Sequence, residues 1–520
     1  MTRRQFLGQA SCAGVGATAL FSSLLSLRLA NSLAAQTAPP DYRALVCLFL
    51  SGGNDSFNML VPTTTEEYAA YAAARGGLAL ARNSLLAIAP ANLGGRTFGI
   101  HPSMPEVRDL FNAGNLAFVA NVGSLIRPTT LADYKAGRHH PVSLYSHADQ
   151  IKQWQTCIPD QRTAIGWGGR AADVIRSLNQ PGIVSMNISL AGLSIFLTGR
   201  DVFGYSVSAN GADGLSGYNP LAAAGSLTGI RSATVDSLVE AEYRRLFEAS
   251  FGGTTRDAID AYYEFTAALS GTTLTTPLPA GNSLAANLAM VARTAASAGR
   301  LGARRQVFFV QLGGWDHHDE VLNNQTNMLR LVSQAVDTFW KALQEVGLQN
   351  QVTLFTASDF GRTLKSNGNG SDHGWGGNHF AMGGAVAGGK ICGNPDQGFY
   401  PFLQSRAQID TGQGRLIPGV AVDEYARDLL LWFGVSPGDL DYVLPAFSSR
   451  FAGRLELGLM GQGTPTQAAA PVVSAPAAVT PAPKGGGSAG GGAVSPFSLG
   501  AAGALVALRA LRNRRLAKRP

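Results

Sequence analysis

Four apolar runs break off abruptly into glycine and polar residues, and this pattern limits the folds open to the chain. Leu45–Leu50 (LVCLFL) stops at Ser51-Gly52-Gly53 and delivers Asn54-Asp55-Ser56-Phe57-Asn58. Leu116–Val122 (LAFVANV) stops at Gly123-Ser124, and Gln306–Leu312 (QVFFVQL) at Gly313-Gly314-Trp315-Asp316-His317-His318-Asp319. The fourth, Val352–Phe355, drives toward Ser358-Asp359. Continuous apolar runs, as opposed to alternating ones, are strands covered on both faces. Between and after them lie stretches with helical spacing, at Met104–Asn112, Val235–Phe251, Leu284–Ala298, Asn323–Val346 and Val422–Phe433, with Tyr68–Arg82 partly helical. Strand, loop and helix in alternation predict an α/β fold with a mostly parallel central sheet flanked by helices.

In such a sheet the carboxyl ends of the strands share one edge, where residues distant in sequence converge. The stretch Thr353–Phe380 is the richest of these tips. It carries Asp359 and then a Gly/Asn loop with Asp372, His373 and His379. Three carboxylates (Asp55, Asp316, Asp359) and three imidazoles (His318, His373, His379) suffice to ligate one or two divalent ions. His317 reads as part of a solvated turn. Two ions about 4 Å apart would clamp the attacking and leaving oxygens of a phosphoryl or sulfuryl transfer. The plainer alternative for a strand-end Asp is a helix N-cap, and for the loop a solvated surface.

Two hydroxyls compete as nucleophile. Ser146 stands at a helix N-cap before His147-Ala148-Asp149-Gln150, where the helix dipole and a nearby metal favour an alkoxide; Ser56 is the other. Arg362 has the fork that steadies a phosphate or sulfate oxygen, or it serves as a structural partner. Residues 160–230 carry no assignable chemistry.

The net charge of +7 does not describe the foldable part. Ten of the positive charges fall in residues 1–35 and 462–520, which hold no acid, so the middle is net −3. No basic face remains to argue for nucleic acid, and no nucleic-acid-binding module is visible. Of the four cysteines, Cys12 lies in the leader and Cys47 in a buried strand, so at most Cys157 and Cys392 could pair, in an oxidising compartment, and the sequence leaves open whether they do.

The ends read as addresses. Arg3-Arg4-Gln5-Phe6-Leu7 precedes a modest apolar stretch and small residues near Ala35, and resembles a twin-arginine export signal over residues 1–35. Residues 462–496 form an Ala/Pro/Gly-rich linker that cannot build a core. Residues 497–520 pair an apolar run with terminal arginines and lysine, and resemble a sorting tail of the GlyGly-CTERM type, which implies a membrane protease as partner. A plain membrane anchor shares the same physics. Either way the expected location is the periplasm or cell surface, reached through the twin-arginine translocase.

Across 41–459 the motifs occur in a fixed order: LFLSGGNDSFNMLVP at 48–62, HPSM at 101–104, SHADQ at 146–150, GGWDHHDE at 313–320, SDFGRT at 358–363, DHGWGGNHF at 372–380 and VDEYARDLLLWFGV at 422–435. This array resembles the bacterial family called domain of unknown function 1501, which looks like a branch of the alkaline phosphatase/sulfatase superfamily. The resemblance implies an alkaline phosphatase-like sheet and one or two divalent metals, zinc foremost, with manganese, calcium or iron as alternatives. It further implies Asp316, His318 and His379 on one metal and Asp55 and Asp359 facing the second. Where many superfamily members follow the second-metal Asp with a His, this chain has Phe360; His373 stands as the substitute. The expected activity is an exported hydrolase of small anionic phosphate or sulfate esters. The rival is a non-catalytic surface binding or assembly protein that keeps the fold.

Overall fold

The computed structural model describes residues 39–241, 246–453 and 456–461. The leader (1–35), the linker (462–496) and the apolar-basic tail (497–520) lie outside these residues. No described helix is long and apolar enough to cross a membrane. The described chain falls into two compact units, one holding Gly214–Ala261 and the other the residues on either side, up to Asp213 and from Tyr262.

The larger unit is built on a nine-stranded sheet. Its strands are β1 (Arg43–Leu50), β2 (Leu116–Gly123), β3 (Asn187–Ser189), β4 (Tyr205–Ser206), β5 (Arg305–Leu312), β6 (Val352–Ser358), β7 (Gly377–Met382), β8 (Ile391–Cys392) and β9 (Val420–Ala421). The order across the sheet is β8-β2-β7-β6-β1-β5-β3-β4, with β9 also paired to β2. All pairings are parallel except those of β7, which runs antiparallel to both β2 and β6. A mixed α/β architecture with a large, mostly parallel sheet is therefore what the chain forms.

The four apolar runs are β1, β2, β5 and β6, and each is buried on both faces. In β1, Ala44, Val46, Leu48 and Leu50 join a core with Leu329, Val336 and Phe339 of the helix Val321–Glu345. The intervening Leu45, Cys47 and Phe49 join the opposite core with Trp167 and Leu429, from the helices Trp167–Ile175 and Val422–Phe433. Side chains alternating across a strand thus feed two separate helix layers. A smaller antiparallel sheet, Leu60–Pro62, Phe98–Ile100 and Leu86–Ile88, adjoins.

Most predicted helices fall within a few residues of their expected bounds, for example Pro105–Asn112, Ser283–Ala296 and Val422–Phe433. The helix expected over Val235–Phe251 is instead two, Leu227–Val239 and Leu246–Leu269. The apolar period carries across the break, so spacing alone does not reveal it. Within this smaller unit, buried Asp236 is held by the Tyr218 hydroxyl at 2.8 Å and by Arg256 at 2.7 Å. Cys157 and Cys392, whose pairing the sequence leaves open, are both buried and both free. Cys157 caps a helix with a left-handed φ of 52°, and Cys392 belongs to the short strand β8.

Register decides where the chemistry lies. Leu50 of β1 is level with Leu312 of β5 and with Ser358 of β6. The three tips, Ser51-Gly52-Gly53, Gly313 to Asp316, and Asp359, therefore emerge side by side.

Candidate metal centre

Close packing of these tips requires glycine. Gly52 has φ +123°, and a Cβ there would lie 2.5 Å from the Asp316 backbone nitrogen. Its N–H donates to Asp359 Oδ1 at 2.9 Å, and Trp315 N donates to Ser51 O at 3.2 Å. The β6 tip then leaves into a loop that doubles back so that Arg362 faces His373. Gly361 makes this return possible, since a Cβ there would meet the Gly376 carbonyl at 2.0 Å.

Four side chains point their donor atoms at one another in this corner. His373 Nε2 lies 2.9 Å from His318 Nε2 and 3.1 Å from His147 Nε2. Asp316 Oδ1 is 3.1 Å from His318 Nε2 and 3.6 Å from His373 Nε2, while its Oδ2 is 3.5 Å from His147 Nε2. His147, Asp316 and His373 form a set of mutually close donors that could hold one ion.

The other ring nitrogens give this cluster its meaning. His147 Nδ1 faces Asp359 Oδ2 at 2.7 Å, His373 Nδ1 faces the Tyr145 carbonyl at 2.8 Å, and His318 Nδ1 faces Asp372 Oδ1 at 3.2 Å. Carboxylates and carbonyls accept, so each Nδ1 carries a proton, and the neutral form of each ring turns an Nε2 lone pair inward. Nε2 lone pairs at 2.9–3.1 Å repel unless a shared proton or a metal cation lies between them. Imidazole nitrogens about 2.0–2.1 Å from one ion are about 2.9 Å apart at right angles and about 3.4 Å apart at tetrahedral angles. The spacing suits a divalent ion, and the outer hydrogen bonds are those that orient metal-bound histidines.

Electrostatics act the same way. Burial pushes the Asp316 carboxyl up, but the Arg362 guanidinium and nearby imidazoles more than reverse this, so it lies below the usual range. Burial holds the His373 imidazole below its ordinary value, against the Tyr145 carbonyl, and so favours the neutral form. Asp359 is raised by burial, opposed by the Gly52 N–H and His147. Phe360 packs its ring 4.7 Å from that of His147 and 4.6 Å from that of His373 and walls both imidazoles.

Of the predicted residues, Asp316, His318 and His373 come together, with Asp359 one bond further out behind His147. Asp55 and His379 do not join them. Asp55 is fully buried, with Oδ2 on Arg75 at 2.8 Å and on the Ser371 hydroxyl at 2.7 Å. His379 lies inside β7 beneath the rings of Trp154 and Tyr425, where burial lowers its pKa to about 3. His317, expected in a solvated turn, is buried as well, with its ring near Trp315.

Arg362 has no donor left for a substrate. Its nitrogens serve the carbonyls of Gly52, Gly53, Trp315 and Ser371, and contact Asp316 and His318. It ties three loops together and orients Asp316. The Ser146 hydroxyl is half-buried and donates to Asp149 Oδ2 at 3.3 Å, while Ser56 is buried and accepts from Asn378 N at 2.7 Å. Among the described residues, no hydroxyl is hydrogen-bonded to any of the three inward-facing Nε2 atoms.

His147 is the donor that reading the sequence for ligands missed. It follows Ser146 as the first residue of the helix His147–Thr156. The available signal was an imidazole at a helix start following an apolar strand.

No curated protein matches the chain. A solved structure titled "Crystal structure of Ps i-CgsB in complex with k-i-k-neocarrahexaose" is similar over 79% of this chain and 76% of that one, at 10% identity and a TM-score of 0.29, too low to bear on fold or activity. Residues 231–409, which carry Asp316, His318, Asp359 and His373 but not His147, match the model of the family described as protein of unknown function (DUF1501).

Proposed function

We propose that the chain is an exported, metal-dependent hydrolase of phosphate or sulfate esters, built on an alkaline phosphatase-like sheet. One observation carries the reading: three imidazoles, each with Nδ1 held by an acceptor, turn Nε2 lone pairs toward one another beside the Asp316 carboxylate. Phosphate and sulfate monoesters are anionic and slow to react, and a metal centre answers both difficulties. An ion bound there would polarise the ester oxygen and make a water more acidic.

The donor set favours a single ion. Asp55 and His379 are committed elsewhere, and Asp359 is occupied by Gly52 N–H and His147. Zinc suits three imidazoles and a carboxylate best, with manganese or iron next; calcium, which prefers oxygen, suits them least. His147, His373 and Asp316 would hold the ion, and the exposed His318 would be the next donor beside it. Asp359 and the Tyr145 carbonyl fix the two inner rings, and Arg362 keeps Asp316 ionised and oriented. The attacking group is water, since Ser146 is tied to Asp149 and Ser56 is buried. Its oxygen bonds to phosphorus or sulfur, the ester bond to that atom breaks, and the alcohol leaves with a proton.

The test joins metal analysis to assay. Purified protein should hold about one equivalent of metal and hydrolyse aryl phosphate or aryl sulfate, and Asp316→Asn should lose both. Bound metal with no hydrolysis of any ester would favour the rival, a surface binding or assembly protein that keeps the fold. No bound metal after incubation with zinc, manganese and iron would remove the basis of the proposal.

A further inference from the structure

With Arg362 saturated, the corner still needs a group to recognise an anion, and one arginine is placed for it. Arg415 sits on a tight turn, Asp410 to Leu416, whose strands bridge at those two residues. The turn is pinned from both sides. Asp410 Oδ1 accepts from Gly412 N at 2.8 Å and from Gly414 N at 2.9 Å. Leu364 N and Lys365 N donate to Gly414 O and Gln413 O, each at 3.1 Å. Three consecutive residues, Gly412, Gln413 and Gly414, have positive φ (123°, 60° and 76°), so the turn has one shape and Arg415 one point of departure.

From there the side chain reaches the loop that carries His373. Its Nε donates to the His373 carbonyl at 2.8 Å, and its guanidinium carbon lies 5.3 Å from the centre of the Tyr145 ring. Tyr145 is the residue whose carbonyl holds His373 Nδ1. The Asp372 carboxyl, lowered first by the Asn367 amide and then by His318, also feels the Arg415 charge. Arg415 thus stands beside two of the residues that shape the metal corner. Unlike Arg362, it has no carboxylate at ion-pair distance and no hydrogen-bond partner on either terminal nitrogen among the described residues. A half-buried guanidinium braced at Nε and by an aromatic face, with both Nη groups unspent, is arranged to take two oxygens of a tetrahedral anion at once.

We propose that Arg415 is the anion-recognising residue of this site, gripping two oxygens of the phosphate or sulfate group in a fork while Nε stays on the His373 carbonyl. The inference rests on the metal-dependent reading above, and the substrate class it names is a monoester whose phosphoryl or sulfuryl group keeps two free oxygens for the guanidinium.

The experiment titrates inorganic phosphate, and separately inorganic sulfate, into the zinc-loaded full chain by calorimetry, for wild type, Arg415→Gln and Arg415→Lys. Arg415→Gln should weaken binding of the preferred anion about tenfold to a hundredfold with zinc content unchanged, because a bidentate charged contact is lost. Arg415→Lys should fall between, since an ammonium keeps the charge without the fork. In turnover, KM should rise with that loss more than kcat falls. Unchanged anion affinity in folded Arg415→Gln that retains its zinc overturns the proposal and leaves the hydrolase reading standing. Arg415-dependent anion binding without ester hydrolysis sinks the hydrolase reading and leaves the anion site standing. Should Arg415→Gln lose its fold by circular dichroism, Arg415→Lys decides alone: wild-type affinity for both anions overturns the fork.

Discussion

Two carboxylates emerge from neighbouring parallel strands at the same edge of the sheet, and they have opposite fates. Asp55, just beyond β1, is fully buried and locked to Arg75 and Ser371. Asp316, just beyond β5, keeps 48% of its side chain exposed and faces three imidazoles. Both follow the same sequence pattern, an apolar strand, two glycines and then a carboxylate within a few residues. What separates them is the partner that the rest of the chain supplies. Arg75, the last residue of the helix Thr65–Arg75, is folded inward and neutralises Asp55. At Asp316 the charge is shared between Arg362 and rings whose outer nitrogens are already spoken for. Among the described residues Asp55 still has an oxygen without a hydrogen-bond partner, Oδ1, so what finally separates the two is that Asp55 is sealed in the interior while Asp316 opens onto imidazole donors.

The sharpest way to break this contrast is to remove Asp55. Asp55→Ala should destabilise the protein by about 3–5 kcal/mol, since it strands the buried Arg75 charge, yet folded protein should bind zinc as wild type does. Loss of zinc affinity in the folded fraction would put Asp55 in the metal site and end the comparison. Denaturant unfolding with and without zinc reads both quantities.

Asp359→Asn should weaken metal binding about tenfold to a hundredfold, through the freed His147 ring. A competition titration against a chelator measures it, and an unchanged affinity would mean that His147 is held without its carboxylate.

His379 sharpens the contrast by pH. Its folded pKa of about 3 lies below the unfolded value of about 6.5. The unfolded chain therefore binds a proton that the folded chain refuses. The associated stability is present above pH about 6.5 and is lost as the pH falls toward 3, at no more than about 1.4 kcal/mol per pH unit. His379→Leu should flatten that part of the pH–stability curve and leave zinc affinity alone. A zinc loss in that variant would return His379 to the metal site.

The smallest effect is expected at Ser146. With water as the attacking group, Ser146→Ala should change kcat less than about threefold; a loss of a hundredfold or more would make its hydroxyl the nucleophile.

Much of this arrangement was legible beforehand. Continuous apolar runs placed β1, β2, β5 and β6 in a sheet covered on both faces, and the shared edge followed from parallel pairing. Asp316, His318 and His373 were readable because they lie within a few residues of strand ends or on the loop that follows. His379 was misplaced because it belongs to β7, which turns back antiparallel. Six residues beyond His373, the chain has already re-entered the sheet, and alternation sends the ring under Trp154 and Tyr425. Asp55 was misread because Arg75 sits twenty residues later in an ordinary helix, and no local pattern marks its inward turn. Arg362 looked like a substrate clamp because a guanidinium's charge is visible in sequence while the carbonyls that consume it are not. His147 needed the fold itself, since only the return of the loop carrying His373 makes them neighbours.

The most direct measurement is an anomalous difference map from crystals of the zinc-loaded protein, recorded at the zinc edge. A single strong peak about 2.0–2.2 Å from His147 Nε2, His373 Nε2 and an Asp316 oxygen is the predicted result. A peak at Asp55 or His379, or none at all in zinc-loaded crystals, would contradict it.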